Sequence, residues 1–121
     1  LQAVARHAYV DPLKNPGTAD ITAHVDFQAL ARAAEDAGAR AHGPIEQGEF
    51  LRRLGIESRA NSLMAKAPSD VVDDIAHAMR RLTGSGRANM GSLFKVLALA
   101  DPALETPPAF DEGAGAAEPA R

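Results

Sequence analysis

Leu93-Phe94-Lys95-Val96-Leu97-Ala98-Leu99 constrains the fold more than any other stretch. It is short, bounded by Gly91 and Pro102, and apolar on both alternating faces. A strand of that kind belongs inside a sheet covered on both sides, because a solvent-facing strand alternates apolar and polar residues. It needs neighbours, and the chain offers few. Leu1–Val10 reads as a short strand or extended lead-in, Ala19–Val25 as an extended segment, and Ala39–Ile45 as a short strand running into Gly43-Pro44. The 121 residues therefore look like part of a larger sheet.

Composition points the same way. Hydrophobic residues make up 45%, but much of that is alanine and aromatics are only 4%, so a core built here buries little area per residue. The formal net charge is −3 and the arginines are scattered singly or in pairs, which gives nucleic-acid binding no support. The absence of cysteine excludes disulfides, thiolate metal sites and cysteine nucleophiles. No apolar run approaches the roughly 20 residues of a membrane span, and no signal-peptide pattern is visible. The chain opens on Leu1 inside an apparent element, which suggests a truncated start.

Helices fill the middle. Asp26 reads as an N-cap for a helix with an apolar stripe of Phe27, Leu30, Ala31 and Ala34, stapled by Val25 and Leu30 and ended by Gly38. Glu46–Leu54 reads as a turn or two of helix with Phe50, Leu51 and Leu54 inward and Gly55 as stop. Ile56–Ala67 is a second helix, broken by Pro68. Ser69 is expected to cap a third, with a stripe of Val72, Ile75, Ala76, Met79 and Leu82. Gly84-Ser85-Gly86 reads as a flexible break, and the Pro-, Ala-, Gly- and Glu-rich segment 102–121 as a disordered tail.

The densest polar chemistry lies between Pro16 and Phe27. Asp20, Thr22, His24 and Asp26 recur at every second position, so an extended chain places them on one face, with Ala19, Ile21, Ala23 and Val25 on the other. The row is delivered to a helix N-terminus, a common place for a binding site. His24 with Asp20 or Asp26 could form an acid–base pair. The plainer reading keeps Asp26 as a cap and Asp20 as a turn brace. Gln47 and Glu49 follow Gly43-Pro44 at a strand-to-helix turn, where ligands bind in open α/β sheets, or are ordinary first-turn polar residues. His7, His24, His42 and His77 lack metal-ligand spacing, so no metal site is expected. No Gly-x-Ser-x-Gly, P-loop or Gly-x-Gly-x-x-Gly is present.

Three ordered stretches carry a resemblance. Pro16–Phe27 resembles a signature of the MidA family of S-adenosylmethionine (SAM)-dependent methyltransferases. Gly43-Pro44-Ile45-Glu46-Gln47-Gly48-Glu49-Phe50-Leu51 with Leu54-Gly55-Ile56 resembles a second family segment, and Met90–Ala98 its final strand. The resemblance covers about residues 1–101 and implies an α/β fold. Its chain would be the C-terminal part of a class I, Rossmann-like, seven-stranded methyltransferase sheet, with a helical insertion at about 46–83 and a last strand at about 93–99. SAM is the implied cofactor, bound mainly upstream of these residues.

The mitochondrial family member methylates arginine on a complex I subunit. The resemblance thus implies a protein substrate, a neutral guanidinium nitrogen attacking the SAM methyl group, and carboxylates that orient the guanidinium. Asp20, Thr22, His24, Asp26 and Gln47 are the substrate-pocket candidates, and no catalytic role carries over to any residue. The implied location is the cytoplasm in a bacterium and the mitochondrial matrix in a eukaryote. The alternative is a non-catalytic helical interaction module that binds a partner through Phe50, Leu51 and Leu54.

Overall fold

A computed structural model describes residues 2–6, 8–86 and 89–111. In chain order the elements are β1 (Gln2–Ala5), β2 (Ala8–Val10), β3 (Asp20–Thr22), α1 (Phe27–Asp36), β4 (Arg40–Glu46), α2 (Gln47–Arg53), α3 (Ile56–Met64), α4 (Ser69–Thr83) and β5 (Lys95–Ala100). The lead-in is an antiparallel pair, and β1 lies central in the order β2-β1-β3. A second, two-stranded antiparallel sheet joins β4 to β5. The described residues thus hold five strands in two sheets, within an α/β arrangement of helices and antiparallel strands.

The apolar run predicted as a strand from Leu93 begins two residues later. Leu93 and Phe94 lie in the preceding turn, where the Phe94 N–H donates to the Met90 carbonyl at 3.1 Å. Among the described residues β5 pairs only with β4, so it is an edge here, with Leu99 47% exposed. Between His42 and Ile45 the register slips, and Gly43 adopts φ +96°. A Cβ there would sit 2.9 Å from the Val96 carbonyl oxygen and 3.0 Å from the Phe110 ring, so only glycine fits.

α1 forms as its sequence dictates. Asp26 is extended at the N-cap, and its Oδ1 accepts the Ala29 N–H at 3.0 Å. At the other end the Gly38 N–H donates to Glu35 and the Ala39 N–H to Ala34, both at 2.9 Å. With Gly38 left-handed at φ +88°, that is a Schellman closure. α4 departs from expectation by one residue: Pro68 takes the N-cap, its carbonyl accepts the Val72 N–H, and the Ser69 hydroxyl caps nothing. Proline suits the place because its extended backbone needs no N–H there.

The helices and β5 are tied together by backbone at close range. The Gly48 N–H donates to Gly91, the Gly91 N–H to Gly84 and the Gln47 N–H to Phe94, at 2.9–3.0 Å. The Met90 N–H donates to Arg81 at 2.8 Å. A Cβ on either Gly48 or Gly91 would collide with the Thr83 carbonyl. Both glycines are buried. Gly84, expected in a flexible break, is instead a structural node whose N–H and carbonyl are both bonded.

Residues 102–111, expected to be disordered, pack onto the domain. Asp101 caps a turn through Ala103 and Leu104, and Phe110 lies against Phe50 (ring centroids 5.7 Å) and His42 (6.2 Å). Ala109 is buried, and its carbonyl accepts from Arg53 Nη1 at 3.0 Å. Composition missed this because one aromatic and one backbone acceptor suffice to anchor a short segment. The rest of the expected tail, 112–121, lies outside the described residues.

Large apolar side chains stay out in the open. Among the described residues the buried hydrophobic ones are Ala3, Ala60 and Ala109, while Tyr9, Leu13, Val25, Leu93 and Leu54 are more than half exposed. Leu54 thus departs from the expected inward face of α2. Exposure on this scale marks surface available for an interaction or a ligand.

Two outcomes test this account. Gly91→Ala should lower stability by about 1–3 kcal/mol, as overpacking does, read as a drop in melting temperature; an unchanged melt would show that the Thr83 carbonyl moves aside freely. Glu49 is held below its ordinary value of 4.5, chiefly by its hydrogen bond from Arg53 and then by the charges of Arg53 and Arg52. The pair's small contribution is therefore present above the unfolded value and lost as pH falls through the lower folded one. Carboxylate NMR should show the Glu49 midpoint rising toward 4.5 in Arg53→Gln.

Candidate functional site

A cleft of about 660 Å³ opens between the two sheets. One wall comes from the β1–β3 ladder, in which Gln2 stands opposite Thr22 and Val4 opposite Asp20, while Val4 also faces Tyr9 of β2. Directly opposed residues share a face, so Gln2, Val4, Tyr9, Asp20 and Thr22 point one way. Ala3 and Ile21 point the other, and Ala3 is buried. Beyond the strand the chain continues to His24, whose Nε2 lies 3.2 Å from Gln2 Nε2. With the amide nitrogen as donor, the ring nitrogen accepts.

The facing wall is apolar and ends in a cation. Phe27 opens α1, and Leu93, Phe94 and Lys95 come from the turn into β5. Lys95 Nζ is held at 2.9 Å by Glu46 Oε1 across the β4–β5 pair and donates to the Ser92 carbonyl at 2.8 Å. Its charge is therefore paired at the rim.

Of the five expected pocket residues, the cleft brings together Thr22 and His24. Asp20 shares the Thr22 face of β3 but is not part of the lining, and Asp26 spends its carboxylate on the α1 cap. Gln47 faces elsewhere, its Nε2 donating to the Leu82 carbonyl at 2.9 Å, which ties α2 to α4. The expected acid–base pair is absent among the described residues: His24 meets Gln2, not an aspartate. Gln2, Tyr9 and Lys95 were not legible as site residues. Strand pairing and the approach of β5 bring them in, and no local motif signals either.

The lining joins an apolar trough to one hydrogen-bonding pair and, among the described residues, contains no carboxylate. Such a surface suits an uncharged or apolar stretch of ligand, with His24, Gln2 and Thr22 fixing its orientation. Among the described residues no three His, Cys, Asp or Glu side chains gather as a metal would need, and no helix is long and apolar enough to cross a membrane.

Residues 1–45 match the family model described as "Putative S-adenosyl-L-methionine-dependent methyltransferase". A relative from Drosophila melanogaster named "Protein arginine methyltransferase NDUFAF7 homolog, mitochondrial" is 40% identical over 99 residues, covering 81% of this chain and 22% of its own length. The Caenorhabditis elegans protein of the same name is 38% identical over 105 residues, covering 86% and 24%. A crystal structure from Burkholderia thailandensis, described as a "likely methyl transferase" bound to S-adenosyl-homocysteine, superposes with a TM-score of 0.78 at 36% identity. That match covers 93% of this chain and 28% of the other. The chain thus spans about a quarter of the length of the proteins it matches. The order of the motifs, the sequence identity and the superposition agree, and together they support the MidA-family methyltransferase that the sequence resembles.

Proposed function

We propose that this chain forms the acceptor side of a SAM-dependent protein arginine methyltransferase, with its cleft receiving a stretch of the protein substrate. The match to relatives named as protein arginine methyltransferases carries the reading of the activity. The neighbour bound to S-adenosyl-homocysteine, the product left when SAM gives up its methyl group, supports the donor. The residues present do not fit a SAM site. SAM presents a ribose diol and an ammonium group that carboxylates recognise, and among the described residues the lining holds none. In the proposed enzyme the donor is held by other residues, within the seven-stranded sheet that the family resemblance implies.

The cleft's part is positioning. Apolar walls hold side chains next to the reacting arginine and exclude water, while the His24–Gln2 pair and Thr22 engage the substrate backbone. Asp20, two positions from His24's neighbour Thr22 on the same strand face, is the carboxylate we assign to the guanidinium at the cleft's edge. Asp26 and Gln47 support the site by fixing α1 and α2. A complex I subunit is the acceptor to offer first, and the location is mitochondrial for a eukaryotic protein and cytoplasmic for a bacterial one.

Transfer of labelled methyl from SAM to protein, measured on the full-length enzyme, tests the reading. His24→Ala and Asp20→Ala should each lower turnover roughly tenfold to hundredfold, the scale of lost positioning. Both side chains are exposed, so the melting temperature should hold. Full turnover in both variants would remove the cleft from the acceptor site, and label on residues other than arginine would overturn the assigned substrate.

A further inference from the structure

α3 and α4 pack as a helical hairpin, yet a groove of about 240 Å³ stays open along it, lined by Ile56, Ala60, Leu63, Ile75, Met79 and Leu82. On the other flank of α4 lies a second cavity of similar size, bordered by Asp74, His77 and Arg81. Ala78 and Leu82 line both cavities, so they form a ridge between two grooves. A ridge beside a groove is complementary to a copy of itself, as in helix packing generally.

The charges on α4 add a direction. Asp70, Asp73 and Asp74 occupy its first half, and Arg80 and Arg81 its last turn. Attraction to the helix dipole accounts for Asp70 and for the arginines, but it fades after the first turn and does not reach Asp73 or Asp74. Asp70 and Asp74 stand four residues apart and repel one another on the helix surface. Among the described residues, none of these five charges makes a salt bridge. Asp74 and Arg81 are seven residues apart, two helical turns, and lie on one face with Ala78 between them.

We propose that α4 is the interface between two copies of this protein, running antiparallel across a two-fold axis near Ala78, so that Asp74 of each copy meets Arg81 of the partner subunit. The arrangement pairs both charges twice, lets backbones approach closely over an alanine, and seats each ridge in the other's groove. It does not rest on the methyltransferase reading, since no residue of the cleft takes part.

Sedimentation analysis of the full-length protein tests this. The unaltered protein should form dimers, and Asp74→Arg or Arg81→Asp alone should weaken association roughly tenfold or more. The double variant D74R/R81D should recover most of that loss, because the pair is merely reversed. A monomer at every concentration, a dimer indifferent to the single reversals, or a double variant no better than the singles would each overturn the proposal. Should a reversal disturb folding, Ala78→Cys gives the decision in a segment that has no cysteine of its own. Oxidation should link two α4 helices at residue 78, and a chain that stays unlinked would refute the contact.

Discussion

The Thr83 carbonyl is the point on which the helical half of this protein turns. Gly48 at the start of α2 and Gly91 in the turn before β5 both come so close to it that no side chain fits, and Arg52 Nη1 donates to it at 3.2 Å. Three elements distant in sequence thus meet through backbone. The hydrogen bonds from Gly48 to Gly91 and from Gly91 to Gly84 then fix where β5 begins. Because Phe94 and Lys95 stand just beyond that junction, the same contact sets one wall of the cleft. Backbone contact is rigid in a way that long side chains are not, which is a sound basis for a positioning surface.

The second constraint is the shortage of large buried side chains. An alanine core contributes little burial free energy, and here it coexists with wide exposure of Tyr9, Leu13, Val25 and Leu93. The described residues resolve part of that deficit through polar and aromatic fastenings. Arg53 spans Glu49 and the Ala109 carbonyl, while Phe110 covers Phe50 and His42. The remaining exposed apolar surface fits a chain that spans about a quarter of the length of its relatives.

Much was legible in the residues themselves. Asp26 as a cap, Gly38 as a terminator and the limits of α1 follow from local chemistry, since capping and left-handed glycine act within a turn of the chain. The alternation from Asp20 to Asp26 correctly separates Thr22 from Ile21. The family was legible too, because three motifs in order and spacing are much more specific than one.

What the sequence could not decide was which of those polar residues would meet. Strand pairing set Gln2 beside Thr22 and His24, taking His24 away from both aspartates, and the α1 cap claimed Asp26. Gln47 was drawn to the Leu82 carbonyl by the packing of α2 on α4, and Phe110 turned a nominally disordered segment into an ordered one. Local propensity acts over a few residues, so the sequence alone determined caps, turns and helix limits. Contacts between residues 20 to 60 positions apart depend on register and close approach, and only the tertiary structure decided those.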